Sequence, residues 1–168
     1  MKKDIELLYG LYYETVRKDC HAIKNCEFKA IEDWARVLAQ EIPDGSVLVP
    51  VPGHKGRARS TYFLAQAIRQ KAFPGKNLLV YDCLKSKRHT SLCELKQKGL
   101  PTESVELGVR FTNFFAKIAF QSVRIGRTVV LIDNVIDTGK TVRACMEVLE
   151  GDVKTAVVGD TGAWKEQK

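Results

Sequence analysis

Between Arg127 and Thr141 the chain reads Arg-Thr-Val-Val-Leu-Ile-Asp-Asn-Val-Ile-Asp-Thr-Gly-Lys-Thr. Its first half, Arg127 to Asp133, carries five consecutive apolar or β-branched residues, as a strand covered on both faces requires. Asp133 and Asn134 follow where such a strand would emerge at its carboxyl end, the place where ligands of open α/β sheets bind. Asp137-Thr138-Gly139-Lys140-Thr141 then opens into a predicted helix over residues 141–149. Gly139 permits a tight turn, and the unpaired N–H groups of a first helical turn, with the positive helix end, suit a phosphate. The hydroxyls of Thr138 and Thr141 add donors.

The rest of the chain predicts more of the same alternation. The first forty residues read as two helices, the second with Phe28, Ile31, Trp34, Ala35, Leu38 and Ile42 on one apolar face. Pro43-Asp44-Gly45 ends it. Strands are expected at 46–51, 78–82 and 154–158, and a helix at 61–73 with Phe63, Leu64, Ala67 and Ile68 inward. Residues 84–124 give no clear pattern. Strands alternating with helices imply an α/β fold with a mainly parallel twisted sheet flanked by helices. A length of 168 residues fits one domain, here residues 1–45 as a helical N-terminal segment and hood and 46–160 as a binding core.

A basic loop follows the first of these strands: Gly53, His54, Lys55, Gly56, Arg57 and, beyond Ala58, Arg59. Its glycines allow close backbone approach, and its cations suit phosphate oxygens. A second basic run is Lys85-Ser-Lys87-Arg88-His89-Thr90. These two clusters contribute to an excess of 27 Lys and Arg over 20 Asp and Glu, which attracts anions without choosing between nucleic acid and small phosphorylated ligands. The ending Gly139-Lys140-Thr141 resembles a P-loop, but that motif needs glycine at 134, where Asn stands. Cys20, His21 and Cys26 form an incomplete metal set, so the five cysteines are expected reduced and mostly buried. No apolar run is long enough for a membrane span and no signal peptide is visible, so a cytoplasmic protein without membrane partners is expected.

The segment 129–141 resembles the 5-phosphoribosyl-1-pyrophosphate (PRPP) signature of type I phosphoribosyltransferases: a hydrophobic strand, two acids, two apolar residues, then Asp-Thr-Gly-x-Thr. Val49-Pro-Val-Pro52 about eighty residues earlier, Leu11-Tyr-Tyr-Glu-Thr-Val-Arg17, the 85–90 run and Arg110-Phe-Thr-Asn113 are similar to the ComF-like branch. The resemblance implies a phosphoribosyltransferase fold that binds PRPP with Mg²⁺ and moves phosphoribose to a nitrogen acceptor, releasing pyrophosphate. It implies that Asp133 and Asn134 face the ribose, with Asp133 toward Mg²⁺, and that residues 137–141 hold the 5′-phosphate. Residues 53–57 and Arg59 would take the pyrophosphate, and Asp137, Arg88 and Lys87 the catalytic roles, with His89 beside them. Residues 85–110 would close as a lid, and Trp164 is a candidate base platform. Asn134 departs from the family's acid. A PRPP-sensing regulator without turnover, and a ComF-like protein of DNA uptake, are the alternatives; nucleic acid is a partner only in the latter, and a homodimer is a family expectation.

Overall fold

The computed structural model describes residues 3–166. Its main sheet has five parallel strands: β1 (Glu6–Tyr12), β2 (Val47–Pro50), β3 (Leu79–Val80), β6 (Val129–Ile136) and β7 (Val153–Asp160), in the order β1-β7-β6-β2-β3. β4 (Leu84–Lys85) and β5 (Arg110–Phe111) form a separate antiparallel pair. The helices are α1 (Tyr13–Lys24), α2 (Phe28–Glu41), α3 (Ser60–Ala72), α4 (Leu92–Gln97), α5 (Phe114–Val123) and α6 (Lys140–Leu149). Among the described residues, no helix is long and apolar enough to cross a membrane.

The period-2 geometry of the central strands divides the core into two. Leu48, Val130, Ile132, Ala156 and Val158 face α1, α2 and α3, where Ile23, Leu38, Leu64 and Ile68 are fully buried. Val47, Val49, Val129, Leu131 and Val157 face the other way, onto Phe120 of α5 and Val142, Cys145 and Leu149 of α6. Both faces of β6 are thereby covered, which is why its first half tolerates no polar residue. The carboxyl end of α2 is closed from outside: Lys76 Nζ donates to the carbonyls of Ala39, Gln40 and Ile42 at 2.7, 3.0 and 2.7 Å.

The N-terminus corrects the sequence reading. Residues 6–12, expected in the first helix, form the strand β1, parallel to β7, and helix begins only at Tyr13. Gly10 explains the choice. A Cβ there would stand 3.0 Å from both Leu7 Cδ2 and Val157 Cγ2, so a larger residue would push those side chains aside where β1 lies against β7. The pairing shifts register between Leu7 and Tyr9 and again between Tyr9 and Leu11. The N-terminal segment is thus part of the sheet, and α1 and α2 pack on its face. Two aromatics also differ from expectation: Phe28 and Phe63 are exposed rather than turned inward. Trp34 is half-buried, with its indole N–H on Asp19 Oδ2 at 3.0 Å.

Candidate functional site

Chain direction defines a crevice. From β2 the chain crosses to β3 on one side, whereas from β6 it crosses to β7 on the other. The boundary between β2 and β6 is therefore the switch point of the sheet, and the loops leaving these strands open at the same edge. β2 stops early: its last partner is Ile132, whose carbonyl accepts from Val51 N at 3.0 Å, while β6 runs on to Ile136. By the alternation of a strand, the amide of Asn134 points to the same open side. With no strand left to pair, that amide donates to the carboxylate of Asp133 at 2.8 Å. Asp133 is thus held at the edge of the crevice, half-buried. Asn134 Oδ1 likewise accepts from Val135 N at 3.1 Å.

Burial pushes the Asp133 carboxyl up to about 7, against the opposing pull of the amides of Asn134 and Val135. A carboxylate that costs this much to ionise is strongly receptive to a cation. Asp133 and Asn134 supply hard oxygen atoms, which suit Mg²⁺, an ion that takes one or two protein oxygens and fills its shell with water and phosphate. Among the described residues there is no cluster of three or more potential metal-ligating side chains, so a bound phosphate would have to complete such a site. The thiols nearby are inert: burial pushes Cys20 up to about 12 and Cys145 upward as well, and Asp133 adds to both.

At the end of β6 the backbone turns through Gly139, φ +74°, into α6, whose first turn has no side-chain cap. Apart from Lys140 N, its leading N–H groups have no side-chain acceptor among the described residues and are left to solvent or ligand. Thr138 Oγ1 accepts only a long 3.4 Å bond from Lys140 N. Asp137 is engaged on both oxygens, by Thr161 Oγ1 at 2.7 Å and by Lys96 Nζ at 2.9 Å. Lys140 turns its ammonium away to the carbonyls of Thr102, Glu103 and Val105, at 2.8, 3.1 and 2.6 Å.

The loop after β2 is stitched to the run after β4. Ser86 N donates to Gly56 O at 2.9 Å, Ser86 Oγ to Gly53 O at 2.8 Å, and His89 N to His54 O at 3.0 Å. Gly56 is buried at φ +101°, and a Cβ there would stand 3.2 Å from Ser86 O. Lys55, Arg57, Arg59 and Arg88 are exposed and form no ion pair among the described residues. Lys87 instead binds Glu106 at 2.7 Å. The His54 and His89 rings meet edge-on, 6.4 Å apart. Burial holds His54 below its usual pKa, helped by Lys24, His89 and Lys55 and opposed by Glu94.

Trp164 stands behind the phosphate turn. Its indole N–H binds Asp160 Oδ1 at 2.8 Å, Lys165 Nζ lies 5.3 Å from the ring centre, and its Cβ is 3.1 Å from where a side chain on Gly139 would begin. Sequence reasoning missed Lys96 and Thr161, the two partners of Asp137. A signal for Thr161 existed: Asp160-Thr161-Gly162 repeats Asp137-Thr138-Gly139, and Ile136 pairs with Asp160. Lys96 offered none, since its approach depends on how residues 92–105 fold back.

The arrangement predicts that Lys140 fastens the 92–106 segment to the phosphate turn. In Lys140→Met the three carbonyls lose a charged donor, about 2 kcal/mol, and the amides of 94–106 should exchange roughly thirtyfold faster by mass spectrometry. Unchanged exchange would show that other contacts hold the segment.

A groove of about 870 Å³ lies elsewhere, between α2 and α3, lined by Phe28, Ile31, Phe63 and Phe73. It contains none of the crevice residues, and its walls are mostly apolar, with Arg69, Lys76 and Glu32 among them. No protein-family model and no curated protein matches the chain.

Proposed function

We propose that the crevice between β2 and β6 binds PRPP with Mg²⁺, and that the protein is a type I phosphoribosyltransferase acting on a nitrogen acceptor. The observation that carries this reading is the shared switch point. An unpaired basic loop leaves β2, an uncapped helix start follows β6, and an acid stands between them at the strand edge. PRPP has a matching layout, a phosphate at one end of a ribose and a pyrophosphate at the other.

In this reading the 5′-phosphate rests on residues 138–141, the ribose hydroxyls on Asp133 and Asn134, and the pyrophosphate on residues 53–57, Arg59 and Arg88. Mg²⁺, when bound, offsets the charge of the leaving pyrophosphate. The C1′–oxygen bond to pyrophosphate breaks as the C1′–nitrogen bond forms, and the acceptor's proton passes to Asp137 or water. The exposed guanidinium groups of Arg57, Arg59 and Arg88 offset the negative charge that builds on the leaving pyrophosphate.

One observation favours a second reading, a PRPP sensor without turnover. Asp137 is already satisfied by Lys96 and Thr161, and Asn134 brings no charge. Titration calorimetry with PRPP and Mg²⁺, alongside pyrophosphate release with a panel of nitrogen bases, tests both. Binding should weaken about tenfold or more in Arg57→Ala. Binding without release for any base would select the sensor. Absence of Mg²⁺-dependent PRPP binding would remove both readings.

A further inference from the structure

α5 is apolar on two sides. Its inward stripe, Ala116, Phe120 and Val123, packs into the core beside Tyr81 and Phe111. Its outward side carries Phe114, 70% exposed, Phe115, 81%, and Ile118, 49%, continued past the helix end by Ile125, 77%. A helix apolar on two sides belongs where both are covered, and only one is covered here; the exposed Lys117, Gln121 and Ser122 interrupt the apolar surface.

Charge narrows what could cover the other. From Leu107 to Ile132 the chain contains no Asp or Glu, while Arg110, Lys117, Arg124 and Arg127 fall within it. Arg110 and Lys117 are exposed and unpaired by carboxylates among the described residues. At the far end of α5 Arg124 is engaged, donating to the carbonyls of Leu149 and Glu150, which leaves Arg110 and Lys117 as the free cations of this face among the described residues. A second copy of this face would bring lysine and arginine against their own kind. The opposite partner fits: an apolar interior under a layer of negative charge.

We propose that α5 docks on an anionic lipid surface, with Phe114, Phe115 and Ile118 entering the headgroup–acyl boundary and Arg110 and Lys117 meeting lipid phosphates. The adjacent phenylalanines form the leading edge, at the start of the helix beside β5.

Flotation with phosphatidylglycerol-containing vesicles, against pure phosphatidylcholine vesicles, tests this with the full chain. The protein should float with the first and not the second. Phe114→Ser/Phe115→Ser should weaken binding more than about tenfold, and Lys117→Gln about fivefold, with unchanged thermal melting because these side chains are exposed. Three outcomes would overturn the proposal: no flotation with either vesicle, flotation that survives loss of both phenylalanines and so belongs to another basic surface, or a wild-type dimer that the double variant dissociates, which makes the face a protein interface.

Discussion

Asparagine in place of Asp133 is expected to make the protein more stable above neutral pH and, on the proposed reading, to remove the carboxylate that would hold Mg²⁺ with PRPP. The carboxyl is pushed up from 3.8 to about 7, so the folded state holds its proton where the unfolded chain has released it. Below about pH 4 the group is neutral in both states, and wild type and variant should match. As pH rises from 4 to 7 the wild type progressively loses stability that Asp133→Asn keeps, and above about pH 7 the gap is constant. A shift of this size corresponds to at most about 4 kcal/mol, and partial contact with water reduces it to roughly 2 kcal/mol, or about 4–8 °C in Tm. The amide of Asn134 still finds an acceptor in the new carboxamide oxygen. Melting curves at pH 4 and pH 8 check the sign, and calorimetry at pH 8 checks the loss of binding. A variant no more stable than wild type at pH 8 would mean that Asp133 is solvated and carries no stored cost.

Valine at Gly139 should be the most damaging substitution in the site. The backbone there has φ +74°, and a Cβ would stand 2.8 Å from Ile5 Cδ1, 3.0 Å from Arg143 Nη1 and 3.1 Å from Trp164 Cβ. A β-branched residue forced into the left-handed region costs about 1–2 kcal/mol, and overpacking against the core adds about 1–3 kcal/mol. The expected loss is roughly 2–5 kcal/mol in urea unfolding, and the proposed role of the turn as phosphate cradle predicts that PRPP binding is lost with it. Gly162 provides the control. It has nearly the same dihedral, φ +79°, but nothing within 4 Å of a Cβ. Gly162→Ala should lose about 1 kcal/mol, the conformational part alone. Equal losses at the two positions would show that the contacts around Gly139 give way at no cost.

The sequence made β6 and the start of α6 legible because a contiguous apolar run has one explanation when followed by a turn into a helix. It did not reveal that β6 continues past Asp133 to Ile136, since a second polar residue, Asn134, resembles a strand's end; pairing with β7 on one side carries the strand onward. Leu7, Leu8 and Leu11 fit a helical face as well as a strand, and what makes this segment a strand, its pairing with β7 with Gly10 fitting beside Val157, lies far away in sequence. Residues 84–124 gave no pattern because up to Thr112 their order comes largely from tertiary ties such as Lys140 to three carbonyls. Beyond it α5, capped by Asn113, is apolar on two sides and shows no single face. The basic loop at 53–59 was visible as composition. Its fastening to residues 86–89 was not, because it runs through backbone atoms.

The two margins of the main sheet differ from its centre in a way that bears on behaviour at high concentration. One margin, β3, is two residues long; the other, β1, is broken by two shifts of register around Gly10. Neither offers a long flat row of amides and carbonyls onto which a neighbouring molecule could add a strand. Fibre-like stacking through the sheet is therefore disfavoured from both directions, and contacts between molecules are left to the helical layers.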